Sequence, residues 1–552
     1  MDPLTPELLV ATALHRDGRL REAEALYRSL LNHVSQSVQA HSALGLLLSQ
    51  QGRFAEARKH YEQVVQQSPD DFLAHKLLGD ACSEEGEVEA SAVHYRIAAR
   101  RQPESWFWQL RADIVSPLVF ESTTAIETYR TQLANCLRVY RDAPHQLDPD
   151  ELAASGCKPP ISLAYHGCDD RPIKELFASI FAERLPADLP RCNSGKPHVA
   201  FVVTEGNEGV FLRGMAGVLR HLDLQQLKVT VVCAPSAKDK MREAIGRDLD
   251  YLLIGNRLTD TIEAVRSARF DLLYYWEIGT DCVNYLLPFF RLAPVQCTSW
   301  GWPVTSGLGE VDYFLSSDWL EPVGAEQHYT EKLVRLRHVP NYYDVRPPLD
   351  PANAREQFGL SDHQHVYFCG QNPRKLHPDF DANVGQILRC DAEGVVVLIE
   401  AAKPAVTEAL RRRMQTTLPD CAKRIRWLPR MTRSAYLAWM AAADCVLDTP
   451  HYCGGANSTY DAFSVAAPVV TLTGQYHRGR YTTAAYRRMG LLDCIAATPS
   501  EYIDIALHLA SDRDFSDHTR RQIAERQSVL VGNLAAVREF QDWVLNAIAR
   551  VR

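Results

Sequence analysis

Residues Leu447–Gly474 read LDTPHYCGGANSTYDAFSVAAPVVTLTG. Two apolar runs, Cys445–Asp448 and Pro468–Leu472, have the composition of short buried strands, and the stretch between them has helical character. After Asp448 the chain passes through Gly454 and Gly455, then offers Asn457, Ser458 and Thr459 where a helix running to Ala467 should begin. Strand, turn, helix and strand at this spacing form the unit of a parallel sheet covered by helices. Such a helix start presents unpaired N–H groups and a positive dipole end, and glycines let the backbone approach phosphate oxygens. Ser458 and Asp461 also read as a capping box, so the segment carries two readings. Neither a Walker A motif nor G-x-G-x-x-G is present, which disfavours a nucleotide hydrolase or a dinucleotide enzyme.

Outward from this stretch the same alternation continues. HVYFCG, GVVVLIEA, RIRWLP, CVLDTP and APVVTLTG read as strands of one domain. An earlier series begins near Lys196 with HVAFVVTEG, a helix VFLRGMAGVLRHL, then KVTVVCAP, DLLYYWEI and PVQCTSW. A linker, PPLDPANAREQFG, separates the two near residue 350. The expectation is two doubly wound α/β domains facing a cleft, at 196–350 and 351–515, with C-terminal helices over 516–552. Ligands in such folds bind beyond the carboxyl ends of strands, which directs the search to the strand–loop junctions. One is FCGQNPRKLHPD, which sets Lys375 just past the strand Val366–Cys369, with Asn372 and Pro373 before it. A lone lysine is ordinarily solvated; at this junction it can also supply charge to a departing diphosphate. Another is Trp300–Gly307, WGWPVTSG, which also reads as a tightly packed turn.

The N-terminal hundred residues repeat. Gly18, Gly52 and Gly86 lie 34 apart, as do Tyr27, Tyr61 and Tyr95, with Ala23, Ala57 and Ser91 in register. A 34-residue period with these positions resembles tetratricopeptide repeats, and one helical hairpin cannot bury its own apolar face, so three stack over 1–103. Repeats of this kind bind a peptide, dimerise or serve as bare scaffold. Residues 104–195 look mostly helical, loosening between Asp142 and Pro160, and read as a linker region.

At 552 residues the chain needs several cores. Its net charge of −8 argues against nucleic acid as a partner. MDPLTPELLV lacks a signal-peptide pattern, and no apolar run approaches the ~20 residues needed to span a bilayer. Fourteen cysteines without C-x-x-C spacing point to reduced thiols and a cytoplasmic setting. No H-E-x-x-H and no clustered His/Cys set appears along the sequence, so no metal is expected.

Together these pieces resemble the O-GlcNAc transferases and their bacterial relatives over nearly the whole chain. APVQ…WGWPVTSG, VDYFLSSD…YTEKLVRL, NPRKL and LDTP…GGANSTYD…PVVTLTG stand in that family's order and spacing. The resemblance implies tetratricopeptide repeats followed by two Rossmann-like domains (GT-B). It also implies inverting, metal-independent transfer of a sugar, GlcNAc or glucose, from a UDP-sugar to Ser/Thr or Asn of a protein such as flagellin or an adhesin, with no cofactor and a homodimer possible. By the same resemblance Lys375 contacts the donor diphosphate with Asn372 beside it. Gly454, Gly455, Asn457 and Ser458 form the diphosphate loop, Asp461 binds the ribose, and Arg480 keeps the family spacing. Arg433 and Tyr436 stand where the family places a Lys and a His against uracil, and either can stack on a pyrimidine.

Two departures are visible. Ala456 replaces the family's phosphate-loop His with one residue inserted before it, and GGANS leans toward the N-glucosyltransferases that modify adhesins. The family's Gly-Asn-His is here Gly206-Asn207-Glu208. Glu208 then reads as a general base, an acceptor contact or an exposed loop acid, and Glu277, ending YYWE, is a second carboxylate candidate. The competing class is a repeat scaffold fused to an inactive transferase domain.

Overall fold

The computed structural model describes residues 5–143, 147–182, 184, 185, 187, 190–255, 257–345, 354–361 and 363–552. The chain divides into two compact units, one comprising residues up to Val119 together with Ala402–Leu410, the other the remainder.

In the first unit three helical hairpins follow one another: Pro6–Arg16 with Leu20–His33, Val38–Gln50 with Phe54–Gln67, and Phe72–Glu85 with Val88–Arg101. The spaced glycines Gly18, Gly52 and Gly86 each take a positive φ, between 75° and 82°, at the turn inside a hairpin, a conformation that glycine adopts without steric cost. The tyrosines of the period are buried and explain two further glycines. A Cβ on Gly45 would stand 2.5 Å from the Tyr61 ring, and one on Gly79 would stand 2.8 Å from that of Tyr95. Ser91 keeps the place of Ala23 and Ala57 by donating its hydroxyl to the Gly79 carbonyl at 2.8 Å. The unit runs past the expected boundary at 103, because the helix Phe107–Asp113 buries Trp108 and Ala112 against Ala92 and Tyr95. The segment 402–410 joins it, and Lys403 pairs there with Glu84.

The second unit holds two parallel sheets. The first comprises β1 (His198–Val202), β2 (Lys228–Cys233), β3 (Asp250–Leu253), β4 (Leu272–Tyr275), β5 (Val295–Ser299), β6 (Tyr313–Ser317) and β7 (Lys332–Leu336), in the order β3-β2-β1-β4-β5-β6-β7. The second comprises β8 (His365–Cys369), β9 (Gly394–Ile399), β10 (Ile425–Leu428), β11 (Cys445–Leu447), β12 (Val469–Leu472) and β13 (Ile495–Ala496), in the order β10-β9-β8-β11-β12-β13. The strand order reverses between β1 and β4 and again between β8 and β11, opening a crevice at the carboxyl ends of those pairs. Helical repeats followed by two Rossmann-like sheets are the architecture expected from the sequence.

Two assignments change. Residues 120–179 are more than a linker: Lys174, on the helix Arg171–Ser179, is buried and donates to the Thr305 carbonyl at 2.8 Å, and Phe177 meets Tyr285 edge-on. The helix Leu534–Ala549 belongs to the first sheet rather than to a separate C-terminal piece. Its Val537, Phe540 and Val544 share one core with Val199, Phe201 and Val229. The linker expected near 350 lies largely outside the described residues, as does part of the loose stretch 142–160.

Candidate functional site

The site is built at the β8/β11 reversal. After β11 the chain reaches Asp448, whose carboxylate is buried. Its Oδ1 accepts from Gly454 N at 2.7 Å and Thr449 N at 3.1 Å, and its Oδ2 accepts from Thr471 Oγ1 at 2.9 Å. These bonds fold 449–454 back on itself and fix where the next helix starts. Burial raises the Asp448 pKa, and the hydrogen bonds, led by that of Thr482, oppose the shift.

That helix spans Gly455–Ser464, with Gly454 as N-cap and no side-chain cap. The capping-box reading of Ser458 and Asp461 therefore does not hold, because both lie inside the helix. The start falls two residues earlier than expected and the end three residues sooner, with Ala466 at φ 53° just beyond it. Gly455, Ala456 and Asn457 supply the first-turn N–H groups without an intrahelical acceptor, and Gly455 itself needs φ 62°.

The β8 loop lies against this start. Gly370 admits no side chain, since a Cβ would stand 2.6 Å from the Tyr436 ring. Exposed Asn372 accepts from Arg374 N at 3.1 Å and so shapes the turn Pro373–Lys375. The Lys375 ammonium donates to the Cys453 carbonyl at 3.0 Å and to Gln371 Oε1 at 3.3 Å, and it sits 4.5 Å from the centre of the Tyr452 ring. Burial lowers its pKa, with Cys453, Asp448 and Cys369 opposing. A Cβ on Gly454 would stand 2.7 Å from Gln371 Nε2. Lys375, Gly454 and Gly455 are thus brought together as one surface of cation and backbone donors.

The other candidates fall around it. Asn457 Oδ1 accepts from Tyr343 OH at 2.8 Å. Buried Asp461, the expected ribose acid, is held by two guanidinium groups, Arg213 at 2.9 Å and Arg433. Arg433 is accordingly ion-paired rather than laid flat for a base. Tyr436 donates to the Gly370 carbonyl at 3.2 Å. Arg480 donates to the Gly474 carbonyl at 2.8 Å while its Nε has no partner, and burial lowers its pKa, with Arg487 adding to the effect.

The two carboxylate candidates lie at the β1/β4 reversal. Glu208 opens the helix Glu208–His221 and accepts from Gly206 N at 3.0 Å, which is the behaviour of a first-turn acid. Glu277 is fully enclosed. Its Oε1 accepts from Thr204 N at 3.0 Å and Thr204 Oγ1 at 2.8 Å, and its Oε2 has no partner. Burial pushes its pKa well above the carboxyl range, against the hydrogen bonds from Thr204. Glu277 thus sits inside the Thr204–Asp281–Asn284 network, tied to it through Thr204.

Sequence reasoning missed Gln371, Tyr452, Tyr343 and Arg213. Arg213 alone carried a signal, as a single cation in the otherwise apolar FLRGMAG segment. It also missed a cluster: the fold brings His377, Asp379 and His451 together, with one ligating atom from each within 4.8 Å of the others. The absence of clustered metal-type residues held only along the linear sequence, because His451 comes from a different loop.

Residues 348–540 match Glycosyl transferase family 41, and residues 42–105 match the tetratricopeptide repeat. Over 402 residues, 69% of this chain and 42% of the relative, the chain is 25% identical to the "Probable UDP-N-acetylglucosamine--peptide N-acetylglucosaminyltransferase SPINDLY" of Hordeum vulgare. It is 24% identical to the UDP-glucose:protein N-beta-glucosyltransferase of Actinobacillus pleuropneumoniae serotype 5b (strain L20), over 50% of this chain and 45% of that one. The chain spans less than half the length of these curated relatives. Among solved structures, a lysine-to-methionine mutant of Thermobaculum terrenum O-GlcNAc transferase superposes with a TM-score of 0.69 at 22% identity, covering 99% of both chains. That likeness establishes the fold, and the family match covers the sheet that carries Lys375 and the glycine turn. Residues 348–540 thus resemble glycosyl transferase family 41, and a stretch that matches the tetratricopeptide repeat precedes them in the same chain.

Proposed function

We propose that the chain is a glycosyltransferase that moves a sugar from a UDP-sugar to a protein side chain with inversion, using protein groups rather than a metal to hold the diphosphate. One observation carries this reading: the Lys375 ammonium lies against the glycine turn that opens the helix Gly455–Ser464 at the strand-order reversal. When the acceptor atom attacks the anomeric carbon, the bond to the diphosphate oxygen breaks and its electron pair leaves with UDP. Negative charge then grows where Lys375 and the N–H groups of Gly455–Asn457 converge, an arrangement that stabilises a leaving group more than a ground state. Asn457, in the first turn of the same helix, is a further candidate donor. Glu208 remains the carboxylate for the acceptor's proton, and Glu277 supports the loop it stands on.

The names of the relatives, one a peptide N-acetylglucosaminyltransferase and one a protein N-glucosyltransferase, support a protein acceptor and leave GlcNAc and glucose as the donors to test. The repeat unit is the natural surface for such a polypeptide. The test is calorimetry with UDP, followed by intact-mass analysis of candidate acceptors incubated with a panel of UDP-sugars. UDP binding together with a hexose or N-acetylhexosamine increment is the expected outcome. UDP binding without transfer or hydrolysis would leave a scaffold with an inactive domain, and no UDP binding would overturn the reading.

A further inference from the structure

Two residues beyond Lys375, His377 caps the helix Pro378–Cys390, its Nδ1 accepting from Asp379 N at 3.2 Å. Asp379 Oδ2 lies 3.3 Å from that same Nδ1 and 2.7 Å from His451 Nε2, and the two imidazole centroids are 4.4 Å apart. We propose that His377, Asp379 and His451 form a binding site for one divalent first-row transition cation, which staples the loop carrying Lys375 to the loop carrying the glycine turn.

The donor chemistry selects this class. Two imidazoles and a carboxylate suit zinc and its neighbours, at about 2.0–2.2 Å from the ion. Ligands sharing such a shell stand roughly 3–3.5 Å apart; the two Asp379 contacts, at 3.3 and 2.7 Å, are near that spacing, and all three ligating atoms lie within 4.8 Å of one another. Hydrogen bonding inside the cluster is poorly satisfied without an ion. When His377 is neutral and accepts from Asp379 N, its lone pair lies 3.3 Å from a carboxylate oxygen, and its Nε2 is buried with no partner at all. A cation that takes this lone pair in place of the Asp379 N–H turns the repulsion from the carboxylate into two coordinate contacts.

The third ligand is held in a costly conformation. His451 is a non-glycine residue at φ 66°, in the left-handed region that L side chains rarely adopt. Its ring also fits only because Gly167 has no side chain, since a Cβ there would stand 2.8 Å from His451 Cγ. Thr123 Oγ1 donates to the outer Asp379 oxygen at 3.3 Å, an orienting contact typical of ligating carboxylates. Asp379 and His451 remain 50% and 33% exposed, which leaves an entry route for the ion.

The consequence reaches the neighbouring site. His451 precedes Tyr452, whose ring lies beneath the Lys375 ammonium, and it stands two residues before the carbonyl that Lys375 grips. The staple is a positioning device, distinct from the diphosphate surface and independent of whether UDP-sugar is the donor.

The test uses the full-length, untagged chain, stripped with chelator and titrated with zinc chloride, with bound metal counted by atomic emission. Wild type should bind one equivalent more than Asp379→Asn and one more than His451→Ala, with apparent affinity at this site lowered ~100-fold or more in each variant. Stripping should lower the Tm of wild type and leave that of the variants unchanged. Asp379→Asn preserves size at a half-exposed position, so a folding failure in His451→Ala would not remove the comparison. Cobalt(II) in place of zinc should give a visible absorption band that both variants lack. Equal metal content in wild type and both variants, or no uptake by wild type, overturns the site.

Discussion

Lys375 Nζ sits 3.0 Å from the carbonyl oxygen of Cys453, 78 residues further along the chain. Two loops that leave neighbouring strands, β8 and β11, are joined by one cation. Lys375→Ala should cut UDP-sugar-dependent transfer about 100-fold or more, roughly 3 kcal/mol of transition-state stabilisation, with the fold intact. Steady-state rates beside a thermal melt check this; full activity removes the residue from the proposed role.

The same lysine sets a pH limb. Burial lowers its pKa from the ordinary 10.5, so the free protein loses the cation at lower pH than an exposed lysine would. The alkaline fall in kcat/KM should therefore lie below 10.5. Because a bound diphosphate favours the charged form, the fall in kcat should come at higher pH. Parallel pH profiles of the two constants decide it.

Glu277 Oε1 accepts from Thr204 N and Oγ1, so Glu277→Gln, which keeps an acceptor oxygen, should preserve both fold and transfer, whereas Glu277→Ala leaves the Thr204 N–H buried and unpaired at a cost of about 1–3 kcal/mol. The sign of the pH effect follows from linkage. Between the ordinary carboxyl value of 4.5 and the raised folded value, the folded chain binds a proton that the unfolded chain has released. Stability contributed by this group is complete below 4.5 and declines as pH rises through that window. The Gln variant lacks this decline, so its unfolding free energy relative to wild type should grow from acid to neutral pH.

Asp461 is the shared carboxylate of Arg213 and Arg433. Asp461→Asn leaves two guanidinium groups uncompensated. Their side chains are 28% and 43% exposed, so the loss should be nearer ~1–2 kcal/mol than the roughly 3–5 of a sealed pair. Denaturant titration of Asp461→Asn, Arg213→Ala and the double variant should show the loss shrinking in the Arg213→Ala background.

In the repeat unit, Gly79→Ala should destabilise by roughly 1–3 kcal/mol, because the new Cβ meets the Tyr95 ring at 2.8 Å while that ring is anchored by its hydroxyl bond to Asp80. Thermal unfolding reports the change.

The sequence revealed those parts of the fold that obey a period. The 34-residue repeat and the apolar β-branched runs of β1, β2, β4, β5, β8, β9, β10, β11 and β12 were all legible. The strands that went unread have weak patterns: β3 and β7 lie at a sheet edge, β6 ends in two serines, and β13 is two residues long. At the site, Lys375 and the glycine turn could be paired because both end a strand in one sheet. The Arg213–Asp461–Arg433 clamp could not, since each residue alone looks like an ordinary charge on a helix, and only packing shows that one carboxylate serves two cations. The His377–Asp379–His451 cluster was hidden for a related reason, His451 arriving 72 residues after Asp379.

The helix Leu534–Ala549 has a consequence for how the molecule is made. Asp223 N donates to Gln541 Oε1 across 318 positions, and the first sheet's interior is finished by Val537, Phe540 and Val544. On a ribosome, β1 and β2 emerge early and must wait, one apolar face uncovered, until the second sheet has also been synthesised. Slow, long-range closure of this kind lengthens the aggregation-prone interval, and it nests the second sheet between the strands of the first and the helix that covers them.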